Sequence, residues 1–263
     1  MQPDSADHAH AGEDNWAALL ECAAARRGGA GLTGSTAELF GPVLDAIAAG
    51  NCVVAHLGQS LDGHIAMPDG RSQYVTGRED AAHNHRLRAL CDAVVVGAGT
   101  AQADDPQLTV RHVPGDNPVR VVIDRTRRLD PSLGLFCDGA APTLLVCSEQ
   151  AARGAQRHGD AEIVTVAPDA NGLLPVRRIA AALADRGLHA LFVEGGGATV
   201  SHFIEAGLID RLHITIAPIL LGDGRPVLTL PAIERIDAAR RVAMRPFPIG
   251  DDILYDCVFD GDG

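Results

Sequence analysis

Two stretches of this 263-residue chain hold most of the side chains that could do chemistry. In "FVEGGGATVSHF", Glu194 ends an apolar run, three glycines (Gly195, Gly196, Gly197) follow, and Ala198 and Thr199 open a helix-like segment. Glycine lets backbone approach a ligand closely, and free N–H groups at a helix start attract phosphate. In "VVVGAGTAQADDPQLTVR", Thr100 and the pair Asp104–Asp105 follow a strand-like run. A carboxyl group at the mouth of a glycine-lined pocket can move a proton, an action worth ~10²–10⁴ in rate. Adjacent acids before a proline also cap ordinary turns. Arg88, on a helical segment, and Arg111, ending "LTVR", would suit a phosphorylated small molecule if they converge, because guanidinium grips phosphate with two hydrogen bonds. Arg125, Arg127 and Arg128 follow "VVID" directly. They suit a ribose 2′-phosphate or a solvated loop about equally. In "AHLGQSLDGHIA", a polar, glycine-bearing break stands where a strand leaves the core. It is either a tight turn or the wall of a site.

Several chemistries find little support. "GAGTAQ" lacks the third glycine of a dinucleotide fingerprint, since Gln102 stands there, and Pro106, Pro114 and Pro118 disfavour a full crossover helix after it. His83 and His85 lie two apart on a helix and do not share a face, so no metal site is assigned. A G-x-S-x-G nucleophile elbow is missing. The six cysteines show no C-x-x-C spacing and read as small buried hydrophobes. A formal charge of −12 argues against nucleic acid. The acidic N-terminus lacks the pattern of a signal peptide, and no apolar run reaches membrane length. These features lead to the expectation of a soluble, cytoplasmic protein.

The elements that must position these residues are legible as alternation. Residues 1–13 read as disordered. Residues 14–27 and 35–49 read as two helices, the second with a Ser35–Glu38 capping box and Gly50 at its end. The pair forms a helical extension over residues 1–50, ahead of a main domain over 51–263. Strands are expected at "CVVAHL", "AVVVG", "VRVVID", "TLLVC", "EIVTVA", "ALFVE" and "RLHITIAPILLG". Helices are expected near 78–91, behind a Thr76–Glu79 capping box, and between Pro175 and Gly187. The tail 238–259 reads as two strands around "FPIGDD". Strands alternating with helices predict a mostly parallel sheet covered on both faces, with an antiparallel C-terminal edge.

Taken in order, "LGQSLDGHIA", "GRSQYVT", "HRLRALCDAVVVGAGTAQADDPQLTVR", "PVRVVID" and "LFVEGGGATVSHFIEAGLIDRLHITIAPILLG" resemble the reductase domain of riboflavin biosynthesis. This is the C-terminal half of the RibD-type deaminase-reductase, which also exists free-standing. The resemblance spans roughly residues 52–259. It implies a three-layer α/β fold like that of dihydrofolate reductase, a homodimer, and NADPH-dependent reduction of 5-amino-6-(5-phosphoribosylamino)uracil at ribosyl C1′. It further implies that Gly58, Tyr74, Thr100, Asp104, Arg125 and Gly195 to Thr199 hold the cofactor. Ser72, Arg88, Leu108, Arg111 and Glu194 would hold the substrate, the arginines at its phosphate. Asp104 is then the acid–base residue and Glu194 a second catalytic carboxylate. Gly58 would be small so that a flat ring can lie against backbone. His56 departs from the family, which often has lysine there. The H-x-E and P-C-x-x-C deaminase signature does not occur. Rival readings are a pterin or dihydrofolate reductase, a non-catalytic NADPH-binding module, and a metal-dependent hydrolase.

Overall fold

Short apolar runs, most of them five residues long, become the centre of one sheet. The computed structural model describes residues 15–71 and 75–259. Among the described residues, the strands are β1 (Cys52–Ser60), β2 (His64–Ala66), β3 (Ala93–Gly97), β4 (Val119–Ile123), β5 (Thr143–Cys147), β6 (Arg157–His158), β7 (Ala161–Thr165), β8 (Ala190–Glu194), β9 (Arg211–Ala217), β10 (Arg225–Pro226), β11 (Val242–Ile249) and β12 (Asp252–Phe259). The α-helices are α1 (Trp16–Ala24), α2 (Ser35–Ala49), α3 (Arg78–Leu90), α4 (Ala98–Asp104), α5 (Gly134–Cys137), α6 (Glu149–Ala152), α7 (Val176–Ala184) and α8 (Gly197–Glu205). Ten strands form the order β11-β12-β9-β1-β8-β3-β4-β5-β7-β6, while β2 and β10 pair separately. From β9 to β7 every pairing is parallel. β12 and β11 close one edge antiparallel, as expected, and β6 closes the other the same way.

Side-chain alternation divides the core into two layers. Cys52, Val54, Val94, Val96 and Phe192 face α1, α2 and α3, whereas Val53, Ala55, Val95, Leu191 and Val193 face α7 and α8. With both faces covered, these strands need apolar residues throughout, which is why they read as continuous runs rather than alternating ones. The N-terminal helices belong to the first of these layers. Leu19, Phe40, Val43, Leu44 and Ile47 are almost fully buried in it, and Phe40 packs edge-on to Trp16 and stacks on His83.

Local readings needed several corrections. Neither capping box forms. The N-cap of α2 is Gly34 and that of α3 is Gly77, both without a side-chain cap. Glu38 instead pairs with Arg245 on β11, a tertiary partner, and Thr76 donates to the Asp80 carboxylate one turn further on. β1 runs on through Ser60, beyond "CVVAHL". β9 stops at Ala217, where a strap over 218–230 leaves the sheet to carry β10. Cys137 is exposed rather than a buried hydrophobe, and Cys22 is half-buried.

Beneath β9 lies a chain of buried polar groups. His83 of α3 meets His213 of β9 at 2.9 Å, and His213 lies 3.3 Å from Asp256 of β12, which also takes two hydrogen bonds from Arg211. Burial pushes the His83 pKa well below normal, and the neighbouring His213 and His56 push the same way. Burial also depresses His213 and His158, and takes His85 down to about 3. The unfolded chain binds protons on these rings below pH ~6.5 while the folded chain does not. Stability must therefore fall on acidification through that range, by about 1.4 kcal/mol per pH unit for each proton. His56 opposes the trend, because its folded pKa is raised.

Two measurements check this core. Urea denaturation from pH 7 to 5.5 should show a net uptake of about two protons on unfolding; a flat profile would mean the rings are solvated. Phe40→Ala should cost about 3–5 kcal/mol in the same assay, and a loss below about 1 kcal/mol would detach α2 from the cooperative core.

Candidate active site

Strand ends and helix starts meet at the carboxyl edge of the sheet. The chain leaves β8 at Glu194, turns through Gly195 (φ 80°) and Gly196 (φ 63°), and enters α8. Left-handed dihedrals of this kind favour glycine; Thr199 donates to the Gly196 carbonyl at 2.8 Å, so the amides left for a ligand at the α8 start are those of Gly197 and Ala198. Beside it, β3 runs through Gly97 into α4, a single short helix ending at Asp104, so no full crossover helix forms. The two turns interlock: a Cβ on Gly196 would lie 3.0 Å from the Thr100 hydroxyl, and Thr199 closes on Gly97. A cleft of about 530 Å³ opens over them.

Of the residues singled out above, Gly58, Thr100, Asp104, Glu194 and the backbone from Gly195 to Ala198 line this one cleft. Asp104 sits exposed at its lip, where desolvation raises its pKa against the pull of Arg225. Glu194 is fixed from behind. Arg88, 7% exposed, spans both carboxylate oxygens, with Nε 2.6 Å from Oε2, and donates to the Thr109 carbonyl at 2.8 Å. Its donors are thus committed within the protein, so in this structure Arg88 positions Glu194 and does not present a free guanidinium to a phosphate. Arg111 is exposed, donates to the Thr109 hydroxyl, and takes support from His85, which accepts its backbone N–H at 2.8 Å. The Leu108 side chain is 1% exposed within the core, leaving only its backbone for a ligand. Arg125 lies outside the cleft and donates to the Gly172 carbonyl. Arg127 turns into a separate basic hollow with Arg153 and Arg157. Ser72 and Tyr74 lie outside the described residues.

Gly58 is glycine for a reason other than room for a ring. A Cβ there would stand 2.7 Å from the Thr76 methyl and 3.2 Å from the Asp80 carboxylate, so packing of the α3 start against β1 requires it. The "SLDG" break is both a turn and a fastening. Gly63 donates to the Ser60 carbonyl, while Asp62 accepts from Ser60 Oγ and from the Leu221 and Gly222 amides. These bonds pin the strap, whose Arg225, Pro226 and Thr229 form the far wall of the cleft. Thr229 donates to Ser201 Oγ, tying the strap to α8.

The cleft holds residues the motif reading missed. Arg225 comes from a stretch with no element pattern, and only β10–β2 pairing brings it in. Asp80 sits in the first turn of α3. It is 2% exposed and lies 2.9 Å from His56 Nε2, with the Thr76 and Thr215 hydroxyls each donating to it at 2.6 Å. His56 stood out in sequence only as a departure from a family pattern, and its partner was invisible there.

Comparison with known proteins places this geometry. In Methanothermobacter thermautotrophicus, the protein named 2,5-diamino-6-ribosylamino-4(3H)-pyrimidinone 5′-phosphate reductase is 36% identical over 218 residues, covering 80% of this chain and 98% of that protein. The Aquifex aeolicus riboflavin biosynthesis protein RibD is 30% identical over 74% of this chain, which spans only 54% of that longer protein. The Acinetobacter baumannii RibD structure superposes with a TM-score of 0.67 at 25% identity, over 86% of this chain and 63% of that one. The Saccharomyces cerevisiae reductase Rib7 shares the fold, with a TM-score of 0.66 at 20% identity over 80% and 90%. A family model described as the RibD C-terminal domain matches residues 51–246, and the chain belongs to that family.

Proposed function

We propose that this chain is an oxidoreductase that reduces a phosphoribosylaminopyrimidine at ribosyl C1′, using NADPH. One observation carries the reading: a single cleft joins a side-chain-free backbone cradle to Asp104 and the braced Glu194. The archaeal relative, named for a ribosylaminopyrimidine phosphate and nearly coextensive with the matched region, supports the substrate class. Among ring forms we favour 5-amino-6-(5-phosphoribosylamino)uracil, with the 2,5-diamino pyrimidinone as the competing substrate.

The residues present fit a dinucleotide. The Gly197 and Ala198 amides at the α8 start and the open face of Gly195 suit a pyrophosphate, and the hydroxyls of Thr100 and Thr199 stand beside Gly196; Gly197 is bare because the Val227 carbonyl of the strap packs on it. When bound, the nicotinamide supplies the hydride. The chain's own residues bind and orient. Arg111 offers an exposed guanidinium to the substrate's phosphate, so that binding energy far from C1′ holds the reacting end in place. Glu194, immobilised by Arg88, presents a carboxylate to the sugar hydroxyls. Asp104 relays protons between solvent and the cleft at its lip, and Arg225 opposite it steadies the charged form.

The test follows the loss of reduced-nicotinamide absorbance with the deaminated uracil, the diamino pyrimidinone and dihydrofolate offered separately. Oxidation is expected with the uracil; turnover with dihydrofolate alone would overturn the reading. Arg111→Ala should lower kcat/KM for the phosphorylated substrate about 10- to 100-fold and leave the dephosphorylated analogue nearly unchanged. An equal loss for both would remove Arg111 from the phosphate.

A further inference from the structure

The geometry points to the His56–Asp80 pair as the proton source of this reductase: an imidazolium at the cleft wall, with Asp80 as its buried counter-ion, donates to the ring oxygen of the substrate's sugar. The inference rests on the function proposed above and adds a catalytic residue to it.

Both side chains are 3% exposed, and His56 Nε2 stands 2.9 Å from Asp80 Oδ1, yet both line the cleft. Burying an ion pair carries a desolvation cost that attraction must repay, so apolar residues would serve mere stability as well. Asp80 is nevertheless fully solvated by protein: Thr215 donates to one oxygen, Thr76 to the other, and His56 completes the set. With Nε2 occupied there, Nδ1 is the ring atom left for the cleft. Among the described residues, the buried Asn84 Oδ1 atom has no hydrogen-bond partner.

The groups around His56 favour its charged form. From α3 come Asp80 and the ring of His83, centred 5.2 Å away; β8 places Glu194 beside it in register, and β9 places His213. Burial alone would lower the His56 pKa, and the two neighbouring imidazoles stay neutral because they are buried without enough anionic support. Asp80, aided by Glu194, more than offsets burial, so the His56 pKa is raised.

The chemistry requires one proton. Protonating the ring oxygen lets the C1′–O4′ bond break with its electron pair remaining on oxygen. C1′ is left double-bonded to the cationic exocyclic nitrogen. Hydride from the reduced cofactor then adds to C1′ and neutralises that nitrogen. One hydride and one proton are consumed, and His56 is recharged from solvent. Asp80 keeps its charge throughout, which orients the ring and steadies the imidazolium between turnovers.

The experiment uses the full-length enzyme with NADPH and the phosphoribosylaminopyrimidine, and measures kcat against pH for wild type, His56→Gln, His56→Lys and Asp80→Asn. His56→Gln should lose about 10²–10⁴-fold in kcat, with NADPH binding retained by fluorescence titration. His56→Lys should recover most of that loss and move the alkaline limb upward. In Asp80→Asn the limb should move downward by at least about one pH unit. Nitrogen NMR of the unliganded protein should show His56 as imidazolium at pH 7 in wild type and neutral in Asp80→Asn. A neutral ring in wild type, or a His56→Gln enzyme with an unchanged kcat and pH profile, overturns the proposal alone. A wild type inert toward both pyrimidines overturns the proposed function and this assignment with it, whatever the NMR shows.

Discussion

The ion pair between Arg88 and Glu194 fixes the geometry on which the site depends. Arg88 comes from the last turn of α3, Glu194 from the end of β8, and the Thr109 carbonyl from the segment after α4. One guanidinium therefore locks together three parts of the chain that are distant in sequence. Its planar fork suits this, because two parallel hydrogen bonds define direction as well as distance. Removing either partner would leave a nearly buried charge unpaired, which is the costly outcome. Everything beyond Glu194, including the glycine turn and the start of α8, takes its origin from that fixed point.

The floor of the cleft is backbone and its walls are ionisable side chains. The β3 and β8 strands end side by side, each followed by a helix start, and the two turns line one cleft. This favours an anionic ligand without any lysine in a chain segment rich in glycine. Around this floor the protein uses carboxylates held in different states. Asp80 is kept charged by hydroxyls and an imidazolium, whereas partial burial raises the pKa of Asp104. Two acids with opposed environments in one cleft permit separate roles at one pH. The strap over 218–230 completes the enclosure, and Asp62, in the turn after β1, fastens it there.

Much of the sheet was legible because its strands are buried on both faces and so announce themselves as unbroken apolar runs. The glycine turn after β8 was legible for a similar reason, since three glycines between a strand and a helix have few structural uses. Helix starts were misread. Ser35 and Thr76 had the spacing of caps, but Glu38 found Arg245 and Thr76 found Asp80, partners far away or on the wrong atom for a capping box. Leu108 and Arg88 were read as ligand contacts because the motif contains them; the fold turns the first into the core and commits the second to Glu194.

Composition and pattern by themselves determined the layered α/β architecture, the parallel centre and the glycine turn between a strand and a helix, since each follows from local periodicity and from what glycine permits. Tertiary structure alone decided which charges meet. His56 and Asp80 are 24 positions apart in chain number, and nothing in either segment names the other; Arg225 arrives from an unpatterned strap. Ion pairs form where folding brings side chains together after the backbone is placed, and burial then sets which of them carry charge. That information resides in the packing of α3 against β1 and β9, not in any stretch of sequence.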